Sequence, residues 1–377
     1  MNLDLRIEKA LQQRENEGLL RKLGAEQHKI DFVSNDYLGL ARSQHLAEYI
    51  QAEAHKLPFQ HNGSSGSRLL SGNSALTEQL EAQLARIFQS EKALVLNSGY
   101  VANMSVLSSL PQRGDTILYD ELAHACIKDG ARLSLADRFS FRHNDLADLR
   151  NKLMKSKGHT FIAVESIYSM DGDQCPLPEL VSLAEEFNAS IILDEAHSTG
   201  VVGNNGSGLS VSLNLHHKIA IRVYTFGKAM GVHGACVAAN TNIINYLINF
   251  ARPFIYTTAL SPHSILSIKC AFDFLDKEIQ RQSQLRSRIN LFLQHLQGSP
   301  HRKIESDSAI QSIVIPGNAS ARAFASQLQA AGFDCRPILS PTVKEGNERI
   351  RICLHSFNTD NEIINLTQTL KTSLSQA

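Results

Sequence analysis

Short apolar runs alternate with helical segments along most of this 377-residue chain, and this alternation constrains its fold more than any other feature. Apolar runs of four or five residues bounded by polar residues indicate buried strands. Such strands, separated by amphipathic helices, are typical of a parallel sheet with helices on both faces. The clearest strand predictions fall at residues 93–97, 116–119, 161–164 and 190–194.

Polar residues follow two of these strands directly. The strand at 190–194 ends in Asp194, and His197 stands three residues further along. His124 follows the strand at 116–119 in the same way, although a histidine with a purely structural role is an equally common outcome. In open α/β sheets, ligands bind in the crevice at the carboxyl ends of the strands. The sequence therefore predicts a ligand site along this edge of the sheet.

A glycine turn leads from the strand at 93–97 into a helix. Ser98, Gly99 and Tyr100 precede a helical segment that starts near Ala102. The free backbone N–H groups and the dipole of a helix N-terminus attract an anion. This pattern is weak by itself, and it gains weight only if other residues indicate a phosphorylated ligand.

One lysine, Lys228, lies in the Gly-rich turn 224–234, which follows the apolar run 219–221 and Val223. A poorly solvated lysine loses its charge readily, and its amine can then form a Schiff base with an aldehyde cofactor. A lone lysine in a loop is far more often a solvated side chain. Asp194 and His197 favour the catalytic interpretation, because an acid for a pyridinium nitrogen and a histidine for a ring oxygen are what pyridoxal phosphate (PLP) requires.

The composition is that of an ordinary globular enzyme. Hydrophobic residues make up 43% of the chain, charged residues 20%, and the formal net charge is zero, so nothing indicates a nucleic acid or an anionic membrane as a partner. The six cysteines are widely spaced without a C-x-x-C motif, which favours reduced thiols over disulfides or a metal site. No signal peptide or membrane span is evident, so we expect a cytoplasmic protein.

Seven short motifs point to one family. They stand at residues 35–40 (NDYLGL), 66–68 (GSR), 98–100 (SGY), 124–125 (HA), 169–173 (SMDGD), 194–197 (DEAH) and 225–228 (TFGK). In this order and spacing they resemble the α-oxoamine synthases, a PLP-dependent family, over nearly the whole chain.

The resemblance implies an α/β, aspartate-aminotransferase-like PLP fold (fold type I). A large domain would contain a mostly parallel seven-stranded sheet, and a smaller α/β domain would lie at the C-terminus. The expected boundaries are an N-terminal segment 1–45 that packs with the small domain, a large PLP-binding domain 46–274 and a small domain 275–377.

The resemblance also implies roles around the cofactor. Lys228 would form the Schiff base and later act as the base, Asp194 would pair with the pyridinium nitrogen, and His197 would bond the ring oxygen. His124 would stack on the ring face and contact the substrate. The phosphate and the ring edge would be contacted by Ser98, Gly99, Tyr100, Thr225 and Ser169.

Substrate roles follow from the same resemblance. Arg351 and Asn35 would hold the carboxylate of the amino acid, whereas Arg21 and Thr342 would contact the acyl substrate. Ser67 leaves room for the methyl group of alanine, while aminolevulinate synthases carry threonine there. Aminolevulinate synthesis is therefore disfavoured.

The implied reaction is a decarboxylative condensation of L-alanine with a pimeloyl thioester, carried by CoA or an acyl carrier protein, in biotin biosynthesis. Glycine acetyltransferase and serine palmitoyltransferase activities are the alternatives within the family. Thr257 and Thr258 match hydroxyls that reach the phosphate of a neighbouring subunit, which implies a homodimer with shared active sites. Departures from the family pattern at Thr77, Ser65 and Cys126 concern substrate details rather than PLP chemistry.

Two other protein classes remain open. A dinucleotide-binding protein is suggested by the Gly-rich stretch 200–208, but the G-x-G-x-x-G spacing is absent. The second class is a protein that has the PLP fold but no catalytic activity and serves in regulation or binding. It would respond spectrally to alanine without turning over a thioester.

Overall fold

The computed structural model describes residues 2–23, 29–58, 61–297 and 303–374. Within these ranges the strands are β1 (Ile30–Asp31), β2 (Lys92–Leu96), β3 (Thr116–Asp120), β4 (Asp137–Phe141), β5 (Thr160–Glu165), β6 (Ser190–Asp194), β7 (Ile221–Thr225), β8 (Ala235–Ala239), β9 (Ile310–Val314), β10 (Phe333–Asp334), β11 (Arg336–Ile338) and β12 (Arg349–Cys353).

The α-helices surround these strands. They are α1 (Leu3–Asn16), α2 (Gln44–Ala54), α3 (Ala75–Ile87), α4 (Gly99–Ser109), α5 (Ala125–Leu133), α6 (Leu146–Leu153), α7 (Leu177–Glu186), α8 (Leu209–Ser212), α9 (Thr241–Phe250), α10 (Arg252–Ile255), α11 (Pro262–Lys277), α12 (Gln280–Leu296), α13 (Asn318–Ala330) and α14 (Asp360–Leu374). No helix in the described part of the chain is both long enough and apolar enough to span a bilayer.

A seven-stranded sheet in the order β2-β8-β7-β6-β5-β3-β4 forms the centre of the fold. Every strand except β8 runs in the same direction, because β8 is antiparallel to both of its neighbours and the other pairs are parallel. The prediction of a mostly parallel seven-stranded α/β sheet is therefore confirmed. The carboxyl ends of β2, β3, β5, β6 and β7 consequently lie along one edge.

The central strands are apolar on both faces because helices cover both faces. Along β6, Ile192 packs into one core cluster, and its neighbours Ile191 and Leu193 pack into another. Along β5, Ala163 likewise packs into the first of these clusters and Val164 into the second. This alternation follows from the two-residue period of a strand, and it explains why these segments are continuous apolar runs in the sequence.

Two smaller sheets lie outside the central one. The strands β11, β12 and β9 form an antiparallel sheet, and β1 pairs in parallel with β10. The register of the second pair, Ile30 with Phe333, places the N-terminal segment beside residues near the C-terminus. The domain boundaries near residues 45 and 274 stay a prediction.

The first helix is shorter than its periodicity predicts. Residues 4–23 carry a helical pattern, but α1 ends at Asn16. Gly18 has a φ of 64°, and the N–H of Leu19 donates to the carbonyl of Arg14 at 2.7 Å, which is a glycine-terminated helix end. The apolar residues on α1 remain exposed, for example Leu11 at 52%.

The strands β4 and β8 carry weak sequence signals. β4 is an edge strand with four exposed residues, so its sequence DRFSF lacks an apolar run. β8 is fully buried but short, and it follows the Gly-rich turn directly. The sequence predicts a long helix over 265–296 with a break near Asp276, and the structure has this break, since α11 ends at Lys277 and α12 begins at Gln280.

Candidate active site

A cavity of about 250 Å³ opens at the carboxyl edge of the large sheet. It brings together predicted site residues from the ends of four strands, β2, β3, β6 and β7, and from the N-terminal segment. Its lining includes Asn35, Ser98, Gly99, Tyr100, His124, Asp194, Thr225 and Lys228, and also Cys126, Glu165, Ala196, Gly227, His233 and Gly234. Residues from positions 35 to 234 thus converge on one volume, as the strand-end rule predicts.

Lys228 lies in the turn between β7 and β8, where its side chain is half-buried. The N–H of Gly231 donates to the carbonyl of Lys228 at 2.9 Å and closes the turn. Gly231 has a φ of 66°, and a Cβ there would lie 2.2 Å from the backbone nitrogen of Ala41, so only glycine fits. Nζ of Lys228 lies 2.8 Å from Nε2 of His197.

Burial lowers the pKa of the Lys228 amine, although the nearby carboxylates of Asp194 and Glu165 oppose this effect. Burial also places the pKa of His197 well below its usual range, and the charge of Lys228 acts in the same direction. His197 is therefore neutral, and the lysine is easier to deprotonate than a solvated one. The sequence-based expectation of a nucleophilic amine agrees with this environment.

Asp194 ends β6 and is buried, at 4% exposure. Its Oδ1 accepts the N–H of Ala196 at 2.8 Å, and its Oδ2 accepts Nδ2 of Asn103 at 2.7 Å. Asn103, which the sequence reasoning missed, stands four residues after Gly99 on α4, and its Nδ2 also donates to the carbonyl of Gly99 at 3.1 Å. The only available signal was this helical spacing of four residues. Two donors thus hold the carboxylate on the cavity wall.

The start of α4 forms a cradle suited to a phosphate. Oγ of Ser98 caps the helix by accepting the N–H of Val101 at 3.3 Å, and a Cβ at Gly99 would lie 2.3 Å from Cγ2 of Thr225. The hydroxyl of Thr225 is buried and has no hydrogen-bond partner among the described residues. A buried hydroxyl that needs a partner, beside free N–H groups of a helix, fits the phosphate of PLP.

His124 caps α5 with its ring. Its Nδ1 accepts the backbone N–H of Cys126 at 3.3 Å and lies 3.0 Å from the Cys126 thiol. Partial burial and the charge of Lys228 lower the pKa of His124. The ring is therefore neutral with its proton on Nε2, because Nδ1 is the acceptor.

Glu165 is a second carboxyl group in the cavity that the sequence reasoning did not assign to the site. It ends β5 directly beside Asp194 in the sheet register, and its Oε1 accepts the N–H of His124 at 2.6 Å. Burial and the neighbouring charge of Asp194 raise the pKa of Glu165 to about 8. Its position at the end of a buried strand was the signal that could have identified it.

Arg351 on β12 reaches the same region from the C-terminal sheet. Its Nη2 donates to Oδ1 of Asn35 at 3.0 Å, and its Nε donates to the backbone carbonyl of Ser169 at 2.7 Å. Arg351 and Asn35 therefore lie together, as the resemblance implied. Ser169 is buried and contacts Arg351 through its backbone rather than through its hydroxyl.

The remaining predicted site residues lie outside this cavity. Thr257 lines a different, smaller cavity, and Thr258 is exposed, with its carbonyl accepting Nδ2 of Asn97 at 3.0 Å. Ser67 uses its carbonyl to hold the turn that follows it. Arg21 and Thr342 are exposed. Their functional roles stay predictions.

The motif at 169–173 has a structural role as well. Asp171 pairs with Arg349 of β12, and Nε2 of His143 lies 2.7 Å from Asp173. Nδ1 of His143 lies 3.0 Å from Asp120. Burial opposes the charge of this ring, but the two carboxylates outweigh burial and raise the pKa of His143 to about 9. Each ring nitrogen of His143 and the Asp171 carboxylate have partners, so this cluster cross-links the 169–173 loop to its neighbours.

Comparison with known proteins gives a consistent result. Residues 27–370 match the family model described as aminotransferase class I and II. An 8-amino-7-oxononanoate synthase from Emericella nidulans is 39% identical, covering 98% of this chain and 95% of the relative. The enzyme of the same name from Chromobacterium violaceum is 40% identical, covering 86% of this chain and 84% of the relative.

Solved structures agree on the fold. The 8-amino-7-oxononanoate synthase from Francisella tularensis is 28% identical with a TM-score of 0.80, covering 93% of this chain and 99% of that one. A serine palmitoyltransferase from S. paucimobilis, solved with bound PLP, has a TM-score of 0.90 over the full length of both chains at 23% identity, a likeness that concerns the fold alone. The chain therefore belongs to the class I and II aminotransferase family and, within it, to the PLP-dependent acyltransferases named 8-amino-7-oxononanoate synthases.

Proposed function

We propose that this chain condenses L-alanine with a pimeloyl thioester and releases 8-amino-7-oxononanoate, CO2 and the free carrier thiol. The observation that carries the proposal is the placement of the Lys228 amine and the Asp194 carboxylate on one cavity, with the Arg351–Asn35 pair at its side. This arrangement provides a nucleophilic amine, an acid for a ring nitrogen and a binding pair for a substrate carboxylate.

The residues around the cavity fit PLP. Lys228 would hold its aldehyde carbon, Asp194 its ring nitrogen, and the cradle of Ser98, Gly99 and Thr225 its phosphate. When bound, PLP supplies an electron sink that stabilises negative charge at the α-carbon of an amino acid. This sink makes both removal of the α-proton and later loss of the carboxyl group accessible at neutral pH.

The α-proton would be accepted by Nζ of Lys228. Because burial lowers the pKa of this amine, a larger fraction is neutral and basic near neutral pH. The neutral ring of His197 at 2.8 Å accepts a hydrogen bond from Nζ and orients it. His124 would donate its Nε2 proton to an oxygen of the acyl substrate, since its Nδ1 is already used as an acceptor.

The carboxylate of alanine would bind between Arg351 and Asn35. The Arg351 guanidinium is held by the carbonyl of Ser169 and by Oδ1 of Asn35, so its plane is fixed before the substrate arrives. An arginine fork matches a carboxylate with paired hydrogen bonds. A fixed carboxylate also determines which bond of the α-carbon faces the base.

Homodimerisation with shared sites is part of this proposal. Thr258 is exposed and outside the cavity, and neighbouring apolar side chains are also exposed, with Tyr256 at 73% and Leu70 at 85%. Exposed apolar side chains beside a residue with a predicted site role support a subunit interface there. Thr257 and Thr258 would then complete the phosphate site of the partner subunit.

A substrate panel tests the proposed function. The purified protein, supplied with PLP, is incubated with L-alanine and pimeloyl-CoA, and in parallel with a pimeloyl-loaded acyl carrier protein. Mass spectrometry of the product and the release of CO2 report turnover. Glycine with acetyl-CoA and serine with palmitoyl-CoA serve as matched alternatives, and the Lys228→Ala variant is the blank. Faster turnover with either alternative pair would reject the pimeloyl assignment.

A further inference from the structure

A continuous chain of hydrogen bonds joins the proposed carboxylate pair to the lysine. Nη2 of Arg351 lies 3.0 Å from Oδ1 of Asn35, which lies 2.9 Å from the hydroxyl of Tyr37. That hydroxyl lies 2.8 Å from Nδ1 of His197, and Nε2 of His197 lies 2.8 Å from Nζ of Lys228. Tyr37 is the central member of this chain.

The direction of every hydrogen bond in the chain follows from its first member. A guanidinium has only donors, so the atom of Asn35 that faces Arg351 must be the amide oxygen. An amide oxygen has no proton, so the Tyr37 hydroxyl must donate to it. The hydroxyl has one proton, and therefore Nδ1 of His197 must donate to the Tyr37 oxygen.

We propose that Tyr37 is a positioning residue that holds His197 in the tautomer protonated on Nδ1, and that it thereby links the amino-acid carboxylate site to the lysine. Nε2 then carries a lone pair toward Lys228 and accepts a hydrogen bond from Nζ. The link to the amino acid rests on the proposed function, because it requires Arg351 and Asn35 to bind the substrate carboxylate.

The surroundings of Tyr37 suit this role. Its side chain is 1% exposed and His197 is 4% exposed, so water cannot replace either partner easily. The backbone of Tyr37 is fixed as well, since its carbonyl accepts the N–H of Ser356 at 2.8 Å. Burial keeps the His197 ring neutral, which makes its tautomer a meaningful variable. A buried chain of this kind is costly to break at any one member.

The test compares two matched variants. NMR uses the cofactor-free protein, in which Nζ of Lys228 is available to donate to His197, and the binding and kinetic measurements use the PLP-loaded protein. Tyr37→Phe removes the central hydroxyl and keeps the aromatic ring. Tyr224→Phe removes an equally buried hydroxyl whose partner is Nη1 of Arg222, outside the chain of bonds. Three quantities are measured: the protonated nitrogen of His197 by ¹⁵N NMR of histidine-labelled protein, the Kd for L-alanine by absorbance titration, and the KM for pimeloyl-CoA. The His197→Gln variant assigns the NMR signal.

In wild type and Tyr224→Phe we expect the proton on Nδ1 of His197. In Tyr37→Phe we expect redistribution toward Nε2, a rise of about tenfold in the Kd for alanine, and an unchanged KM for the thioester. A wild-type proton on Nε2, or an unchanged tautomer and alanine Kd in Tyr37→Phe, would overturn the inference. If Tyr37→Phe does not fold, the tautomer of His197 in the wild type still tests the inference. If alanine caused no absorbance change in the wild type, the proposed function would be rejected. The NMR result would still test the contact between Tyr37 and His197.

Discussion

Gly99 and Thr225 lie so close that a Cβ at position 99 would be 2.3 Å from Cγ2 of Thr225. The helix start and the end of β7 therefore approach each other as closely as backbone and side chain allow. This contact brings the free N–H groups of α4 to the hydroxyl of Thr225, which has no hydrogen-bond partner in the described part of the chain. The proposed phosphate cradle depends on this contact.

The Gly99→Ala variant should weaken PLP binding. The added methyl group must displace either the start of α4 or Thr225, so the donors no longer converge, and overpacking of this kind costs about 1–3 kcal/mol. We expect the Kd of the apoprotein for PLP to rise about tenfold or more in an absorbance titration. Gly63→Ala is the control, because no atom of the described residues lies within 4 Å of a Cβ at Gly63. Equal PLP affinity in both variants would remove Gly99 from the phosphate site.

The Lys228→Ala variant should lose turnover and keep its fold. The lost amine is both the group that would hold the cofactor aldehyde and the base that would accept the α-proton. Product formation is measured by mass spectrometry and folding by thermal unfolding. Lys218→Ala is the control, since Lys218 is paired with Glu185 at the surface. Wild-type product formation by Lys228→Ala would reject the central assignment.

The Asp194→Asn variant should retain PLP and lose rate by orders of magnitude. An amide in place of the carboxylate cannot keep the ring nitrogen protonated, so the electron sink weakens. The direct readout is the exchange of the alanine α-proton with deuterium in heavy water. Retained cofactor absorbance shows that the site is intact. An exchange rate equal to that of wild type would count against the role of Asp194.

The central sheet and most of the cavity could be predicted from the sequence. Polar residues that follow buried parallel strands must lie along the same edge of the sheet. Asn103 and Tyr37 were missed for a different reason. Asn103 is a neutral amide inside an ordinary helix. Tyr37 contacts His197, which lies 160 positions away in the sequence. Neither contact leaves a local pattern. The roles of Thr257 and Thr258 stay predictions, because the resemblance places their contacts in a second subunit.

Arg21 provides the test of the acyl end of the substrate. It is exposed in the structure, so both an acyl-binding role and an ordinary solvated arginine are consistent with its position. If it contacts the thioester, Arg21→Ala should raise the KM for pimeloyl-CoA and leave the Kd for alanine unchanged, because binding energy is lost for one substrate only. Arg14→Ala on α1 is the control. An unchanged KM for pimeloyl-CoA would show that Arg21 is an ordinary solvated side chain.

The stability of the protein should fall at alkaline pH through His143. The pKa of this ring is raised from 6.5 to about 9 in the folded state by Asp120 and Asp173. A group whose pKa is raised by folding stabilises the fold fully below its unfolded pKa, and this contribution is lost as the pH rises from about 6.5 through about 9. A rise of the pKa from 6.5 to about 9 limits this loss to about 3 kcal/mol. We therefore expect the melting temperature of the wild type to fall between pH 6.5 and 9.5.

The fall in melting temperature should be clearly smaller in His143→Gln. His45→Gln, which changes an exposed histidine, should follow the wild type. Glu165, whose pKa burial raises to about 8, contributes a similar slope between about pH 4.5 and 8, and this slope is common to all three proteins. The difference between the two histidine variants therefore isolates His143. Parallel curves for His143→Gln and wild type would show that the carboxylates around this ring do not hold its proton.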